Sequence, residues 1–242
     1  KRQYDYTRSG NPTRDALAAT LAVLEGGTAA TVTSSGMAAL NLVVQLLQPG
    51  DLLIAPHDCY GGTYRLLENL AKKGHFSVKF VDQTKCTDVA RACSNKPRLI
   101  LVETPSNPLL RIVDIKVISA LAKHCGALLA VDNTFLSPAL QRPIDLGADI
   151  VVHSTTKYLN GHSDIVGGAV VAANQALGDE LAWWANCLGI TGAPFDSYLT
   201  LRGVRTLHVR MRQHEANAGI VADVLNRHDA VRRVHYPGLS EH

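Results

Sequence analysis

The stretch Ser154–Asp164 reads STTKYLNGHSD and sets one lysine, Lys157, among hydroxyls directly after the apolar run DIVVH (Asp149–His153); the nearest acid, Asp164, is seven residues on. A lysine in such a place is either an ordinary surface cation or an amine kept for chemistry. At a strand end, flanked by hydroxyls and beside Tyr158, it fits a Schiff-base lysine whose pKa is lowered by burial or neighbouring cations, so that the free amine attacks a carbonyl. Other short apolar runs also end on groups that could do chemistry. SSGMAAL (Ser34–Leu40) is either a plain strand-to-helix turn or a helix start at which Gly36, Met37 and their amides cradle a phosphate. Asp132 either caps the next segment or holds a carboxylate against a cation. Tyr60 is either a half-buried ring with a wet hydroxyl or a flat surface for an aromatic ligand. PHDCYGGTYR adds Arg65, and ETPSNP adds Asn107. Together, a lysine for an imine, an aspartate for a pyridinium nitrogen, a tyrosine for stacking, and glycine with Ser154 and Thr156 for a phosphate are the needs of pyridoxal 5'-phosphate.

These residues need a scaffold that gathers strand ends. Seven apolar runs rich in β-branched residues predict strands: Ala29–Thr33, Leu52–Ala55, Val78–Val81, Leu99–Val102, Leu128–Val131, Ile150–Val152 and Ala169–Ala172. They are continuous rather than alternating, as in strands buried on both faces. Helical patterns at Met37–Leu47, Tyr64–Lys73 and Ile115–His124 lie between them, so an α/β fold with a mostly parallel seven-stranded sheet flanked by helices is expected. Ligands of such sheets bind beyond the carboxyl ends of the strands. A long helical pattern, Tyr198–Arg227, follows, then a strand-like run, Val231–Tyr236. The chain begins at Lys1 and stops soon after that run, which suggests a piece of a longer protein.

Composition narrows the classes. Apolar residues make up 46% and charged residues 19% of 242 residues, the profile of a soluble domain with a large core. A net charge of +3 without a basic block argues against a nucleic-acid partner. Ten scattered histidines form no HExxH pair, and no metal site is expected. Five irregularly spaced cysteines, with no CxxC, suit reduced thiols in a cytoplasmic protein. No apolar run reaches the ~18 residues of a membrane span. A non-catalytic nucleotide binder using SSGMAAL is the rival class; neither GxGxxG nor GxxxxGK[ST] occurs to support it.

YTRSGNPT, DCYGG, ETPSNP, VDNTF, STTKYLNGHSD and FDSYLTLRGVRTL, in this order along the chain, resemble the Cys/Met-metabolism family of pyridoxal-phosphate enzymes, the trans-sulfuration enzymes. The resemblance implies the aspartate-aminotransferase type of fold: part of an N-terminal arm (residues 1–20), a cofactor-binding large domain (21–228) and the start of a C-terminal domain (229–242) that is largely missing. It implies Lys157 as the cofactor lysine and catalytic base, Asp132 on the ring nitrogen, Tyr60 stacked on the ring, and Gly36, Met37, Ser154 and Thr156 on the phosphate. Asn107 would lie near the phenolic oxygen and the substrate, Arg65 near the substrate's far carboxylate, and Tyr6 and Arg8 at a neighbouring subunit's phosphate. A homotetramer built from dimers with shared sites follows from the same resemblance. The implied reaction is γ-replacement on O-succinyl- or O-acetyl-L-homoserine by L-cysteine, giving L-cystathionine, in methionine biosynthesis. APHDCYGGTYRL and LAWWANCLGITGAPFDSYLTLRG resemble members that build cystathionine. TLHVRM and HYPGL also resemble members that cleave it, so γ- or β-elimination, or sulfide as the thiol donor, stands as the alternative.

Overall fold

The seven apolar runs pair into one sheet. The computed structural model describes residues 4–240 and 242; residues 1–3 of the expected arm and residue 241 of the expected C-terminal stretch lie outside them. The strands are β1 (Ala29–Thr33), β2 (Leu52–Pro56), β3 (Ser77–Val81), β4 (Leu99–Glu103), β5 (Leu128–Asp132), β6 (Ile150–His153) and β7 (Gly168–Ala172). Each matches its expected bounds to within one residue. Their order is β1-β7-β6-β5-β4-β2-β3. Neighbours from β6 to β3 are parallel, and β7 alone is reversed, antiparallel to both β6 and β1. The carboxyl ends of β1, β2, β4, β5 and β6 therefore open on one edge of the sheet.

Side chains along a strand alternate between faces, and here both faces are covered. Leu99 and Leu101 of β4 pack with residues of α2 (Gly36–Val43), α3 (Gly61–Lys72) and α7 (Gln175–Leu188). Ile100 and Val102 pack on the opposite face with α4 (Cys86–Cys93) and α5 (Ile115–Cys125). Val151 and Val171 meet Leu17 and Leu21 of α1 (Pro12–Glu25) and Leu207 and Met211 of α9 (Leu207–Asn226). All five residues of β4 are buried, which is why LILVE shows no polar alternation. A short turn of helix, α6 (Ser137–Leu140), follows β5, and α8 (Pro194–Val204) precedes α9.

Several expected helices change length. Met37–Leu47 forms α2 and then a 3₁₀ turn, Val44–Leu46. Tyr198–Arg227 is not one helix: α8 and α9 are separate, and the Arg210 guanidinium donates to the carbonyls of Gly203 (2.8 Å) and Tyr158 (2.7 Å) beside the break. Helices α1, α4 and α7 lie beyond the expected patterns. In α1, Asn11 accepts from the amides of Thr13 and Arg14, and Pro12 fills the first turn. The expected arm boundary at residue 20 falls inside α1, between the buried Leu17 and Leu21. The run Val231–Tyr236 forms no strand. An apolar run becomes a strand only where a neighbour takes its N–H and C=O groups, and among the described residues none does.

Candidate active site

The turns after β1 and β2 and the ends of β4, β5 and β6 surround a cavity of about 290 Å³, close to the lower size limit of small-molecule sites, roughly 300 Å³. Gly36, Met37, Tyr60, Asn107, Asp132, Ser154, Thr156 and Lys157 all line it. Two glycines permit this convergence. A Cβ on Gly36 would meet the Ser154 Cβ at 2.7 Å, so only glycine lets the start of α2 approach the end of β6 this closely. A Cβ on Gly62 would meet the Tyr60 ring at 2.5 Å and the Met37 sulfur at 2.9 Å; the ring lies over the bare backbone at the start of α3.

The free polar groups have a direction. Ser35 caps α2 by accepting from the Ala38 amide at 3.0 Å. The amides of Gly36 and Met37 and the Ser154 hydroxyl donate to no other described residue, and an α-helix N-terminus with free amides attracts an anion. At the end of β5, Asp132 Oδ1 accepts from the amide (3.0 Å) and hydroxyl (2.5 Å) of Thr134, while Oδ2 takes no hydrogen bond from the described residues. Burial raises the Asp132 pKa, opposed by the two Thr134 bonds and by nearby His153. A carboxylate raised by desolvation is restored to its charged form by a cation or a charged N–H donor. The cavity thus offers anion-binding amides from one wall and an acceptor for N⁺–H from another, which fits a phosphorylated pyridine. The donor set of pyridoxal phosphate and the residues present agree.

Lys157 lies on the turn after β6, and its Nζ forms no ion pair or hydrogen bond with a described residue. Lys157 is exposed, so burial, one of the two causes expected to lower its pKa, does not act here. The Thr156 hydroxyl is already engaged: it donates to the Gly167 carbonyl (3.1 Å) and accepts from the Gly167 amide (3.0 Å), tying the lysine turn to the start of β7.

Three predicted residues lie elsewhere. Arg65, on α3, lines an adjoining groove of about 420 Å³ that shares Met37 and Tyr60 with the main cavity. Tyr6 and Arg8 do not reach the cavity of their own chain. Arg8 stacks over Tyr6, 5.3 Å from its ring centre, and donates to the backbone and side-chain oxygens of Asn186 on α7, both at 2.6 Å.

Two residues escaped the sequence reading. Glu103 ends β4 in register with Asp132 and lines the cavity; burial first, and then Asp132, raise its carboxyl to about 7. Thr134 accepts from the Ser154 amide (2.9 Å) while donating to Asp132, so one hydroxyl links the ends of β5 and β6. Both stand in quoted motifs, Glu103 opening ETPSNP and Thr134 within VDNTF; an acid closing an otherwise apolar strand is the signal for Glu103.

Comparison with known proteins points to the same cofactor. The chain is 55% identical over 241 residues to cystathionine gamma-synthase of Escherichia coli (strain K12), covering 99% of this chain and 62% of the relative. It is 48% identical over 241 residues to cystathionine beta-lyase of Coxiella burnetii (strain RSA 493 / Nine Mile phase I), with the same coverage, 99% and 62%. The crystal structure of cystathionine gamma synthase from Xanthomonas oryzae pv. oryzae in complex with aminoacrylate and cysteine superposes with a TM-score of 0.98 at 59% identity, covering 100% of this chain and 63% of that one. The chain thus spans somewhat less than two thirds of these relatives. The family profile described as Cys/Met metabolism PLP-dependent enzyme matches residues 1–242, the entire sequence; the chain belongs to that family, and its cofactor is pyridoxal phosphate.

Proposed function

We propose that the chain is the cofactor-binding part of an enzyme that replaces the γ-substituent of an O-acyl-L-homoserine with L-cysteine, giving L-cystathionine and a carboxylate. One observation carries this reading: a lysine amine, an aspartate oxygen and the amides of a helix start, all without partners among the described residues, line one cavity. The relatives named cystathionine gamma-synthase, at 55% and 59% identity, favour synthesis over cleavage. The beta-lyase relative at 48% identity keeps elimination as the second reading.

When bound, pyridoxal phosphate supplies an aldehyde for amines and a ring that draws electrons from the substrate's Cα. Gly36, Met37, Ser154 and Thr156 would hold its phosphate, Thr156 by giving up its hydrogen bond to the Gly167 carbonyl. Asp132 would keep a proton on its pyridine nitrogen, Tyr60 would stack on it, and Asn107 would lie near its phenolic oxygen. The Lys157 amine would take the proton from Cα, pass it on, and then take one from Cβ, since one flexible chain reaches both neighbouring carbons, and both carbons would be reprotonated before the product leaves. The acyloxy group would leave Cγ as a carboxylate and the cysteine thiol would add there, with Tyr60 as the relay that passes the thiol proton on to solvent. Arg65 meets the substrate's far carboxylate. Tyr6 and Arg8 act at the site of a second subunit in a cytoplasmic homotetramer; the arm ends before α1, whose Leu17 and Leu21 pack with the large domain, which runs to residue 228, and residues 229–242 begin the next.

The test is product analysis by mass spectrometry of the full-length protein with O-succinyl- or O-acetyl-homoserine, with and without cysteine, and with cystathionine alone. Cystathionine formed faster than it is consumed supports the synthase. Faster release of a 2-oxo acid from cystathionine alone establishes the lyase instead.

A further inference from the structure

Glu103 is a carboxyl in an unfavourable place. It is 8% exposed, it faces Asp132 across the β4–β5 pairing, and its two oxygens are both committed. Oε2 accepts the Tyr60 amide at 2.8 Å, and Oε1 accepts the Asn107 amide at 2.9 Å. Tyr60 starts α3 after β2, whereas Asn107 belongs to the loop after β4, so one side chain holds two separate segments. A second clasp joins the same segments farther out: Ser106 Oγ donates to Asp58 at 2.7 Å, and Arg111 Nη1 lies 3.1 Å from His57 Nε2. A glutamine in the place of Glu103 would accept only one of the two amides and set its own N–H₂ against the other. The need for two acceptors on one planar group accounts for an acid at a position where burying charge is costly.

We propose that Glu103 is a positioning residue whose carboxylate clasps the backbones of Tyr60 and Asn107 and thereby sets both side chains against the cofactor side of the cavity. The assignment rests on the roles given above to Tyr60 and Asn107. The groups facing the carboxylate from the elements packed around it are Asp132 of β5 and Asp58 after β2, both raising its pKa, with Lys157 lining the same cavity after β6.

The experiment compares full-length parent, Glu103→Gln and Glu103→Ala at pH 8 by amide hydrogen exchange and by titration with pyridoxal phosphate. The expected result in Glu103→Ala is about 10-fold or greater loss of protection at both the Tyr60 and Asn107 amides, with β4 and β5 amides unchanged. Glu103→Gln is expected to lose protection at one amide only. Cofactor affinity is expected to weaken about 10-fold in Glu103→Ala, as for loss of charge-assisted hydrogen bonds. Parent-like exchange at both amides in Glu103→Ala, with the sheet intact, overturns the proposal. Should that variant lose sheet protection, Glu103→Gln decides: one freed amide supports the clasp and none overturns it. If the parent takes up no pyridoxal phosphate, the functional reading fails, while the exchange data still decide the clasp.

Discussion

Two sets of polar side chains meet at the ends of β4, β5 and β6, one beneath the cavity and one around its mouth. Beneath it, Glu25, Asn133 and His153 are each fully buried. His153 Nε2 lies 2.5 Å from Glu25 Oε1, and Asn133 Nδ2 donates to that same oxygen at 2.8 Å and to the Gln141 carbonyl at 2.8 Å. Gln141 returns a bond to Asn133 Oδ1 at 2.9 Å and reaches the Thr104 carbonyl at 3.2 Å. The end of α1 and the ends of three strands are thus tied by hydrogen bonds in a dry setting, where each bond is strong and each loss costly. At the mouth, Lys157, Tyr60 and Arg65 are exposed, and the Lys157 amine has no partner among the described residues. The lower set fixes where the strand ends sit; the upper set keeps its groups free for ligands.

That contrast breaks first at Lys157. In the full-length protein, Lys157→Ala is expected to reduce turnover on the order of 10³-fold or more if Lys157 is the base and cofactor lysine proposed above. Urea midpoints of the cofactor-free forms should stay the same, because the side chain is exposed and unbonded. Glu25→Ala should show the opposite pattern. It strips the hydrogen-bond partner from buried His153 and Asn133, and leaving a buried polar group unsatisfied costs about 1–3 kcal/mol, readable as a lower urea midpoint. A stable Glu25→Ala protein, or a destabilised Lys157→Ala protein, would contradict the division between floor and mouth.

Glu103 sharpens the comparison, since it belongs to both sets. Its folded pKa is raised from the ordinary 4.5 to about 7, so the folded state binds its proton more tightly than the unfolded chain. The associated stability is fully present below the unfolded pKa and is lost as pH rises from about 4.5 through about 7. The loss amounts to about 3 kcal/mol. Urea unfolding of the cofactor-free protein at pH 5 and pH 8 should show this drop against Glu103→Gln, which lacks the titrating group. An identical pH dependence in both proteins would mean that Glu103 does not carry this penalty.

Much of this was legible because the strands are buried on both faces: IVV of β6 and LILV of β4 announce themselves as unbroken apolar runs. The strand ends then offered Asp132, Ser154 and Lys157 as candidates, each weak alone and pointed to only by the chemistry they make together. Glu103 and Thr134 were less legible: an acid closing an apolar strand marks Glu103 as unusual, but neither residue type shows that its work is to hold backbone amides and another side chain. The missed α1 and α7 begin with Asn caps, Asn11 and Asn174, signals present in the sequence but weaker than the strand runs around them. Beside the break between α8 and α9, Arg210 bonds to residues seven and fifty-two positions away, the longer of which no local pattern encodes. The Val231–Tyr236 run has strand composition, yet composition supplies no partner edge.

The smallest effect is expected at Arg8. Its two bonds to Asn186 are exposed, and surface contacts of this kind change stability by no more than about 0.5 kcal/mol. Arg8→Ala should therefore unfold at nearly the parent urea concentration. If the arm serves only its own chain, turnover should be equally unaffected, for Arg8 does not line its own cavity. If it reaches a second subunit's phosphate, Arg8→Ala should weaken cofactor binding while leaving stability alone. Mixing distinguishes the two. In a dimer of one Lys157→Ala chain and one Arg8→Ala chain, the site holding the intact lysine receives its arm from the chain with the intact arginine. Co-refolding should then restore activity to one site in each mixed dimer. Mixed dimers that form but stay at the level of the separate variants would confine Arg8 to the contact with Asn186.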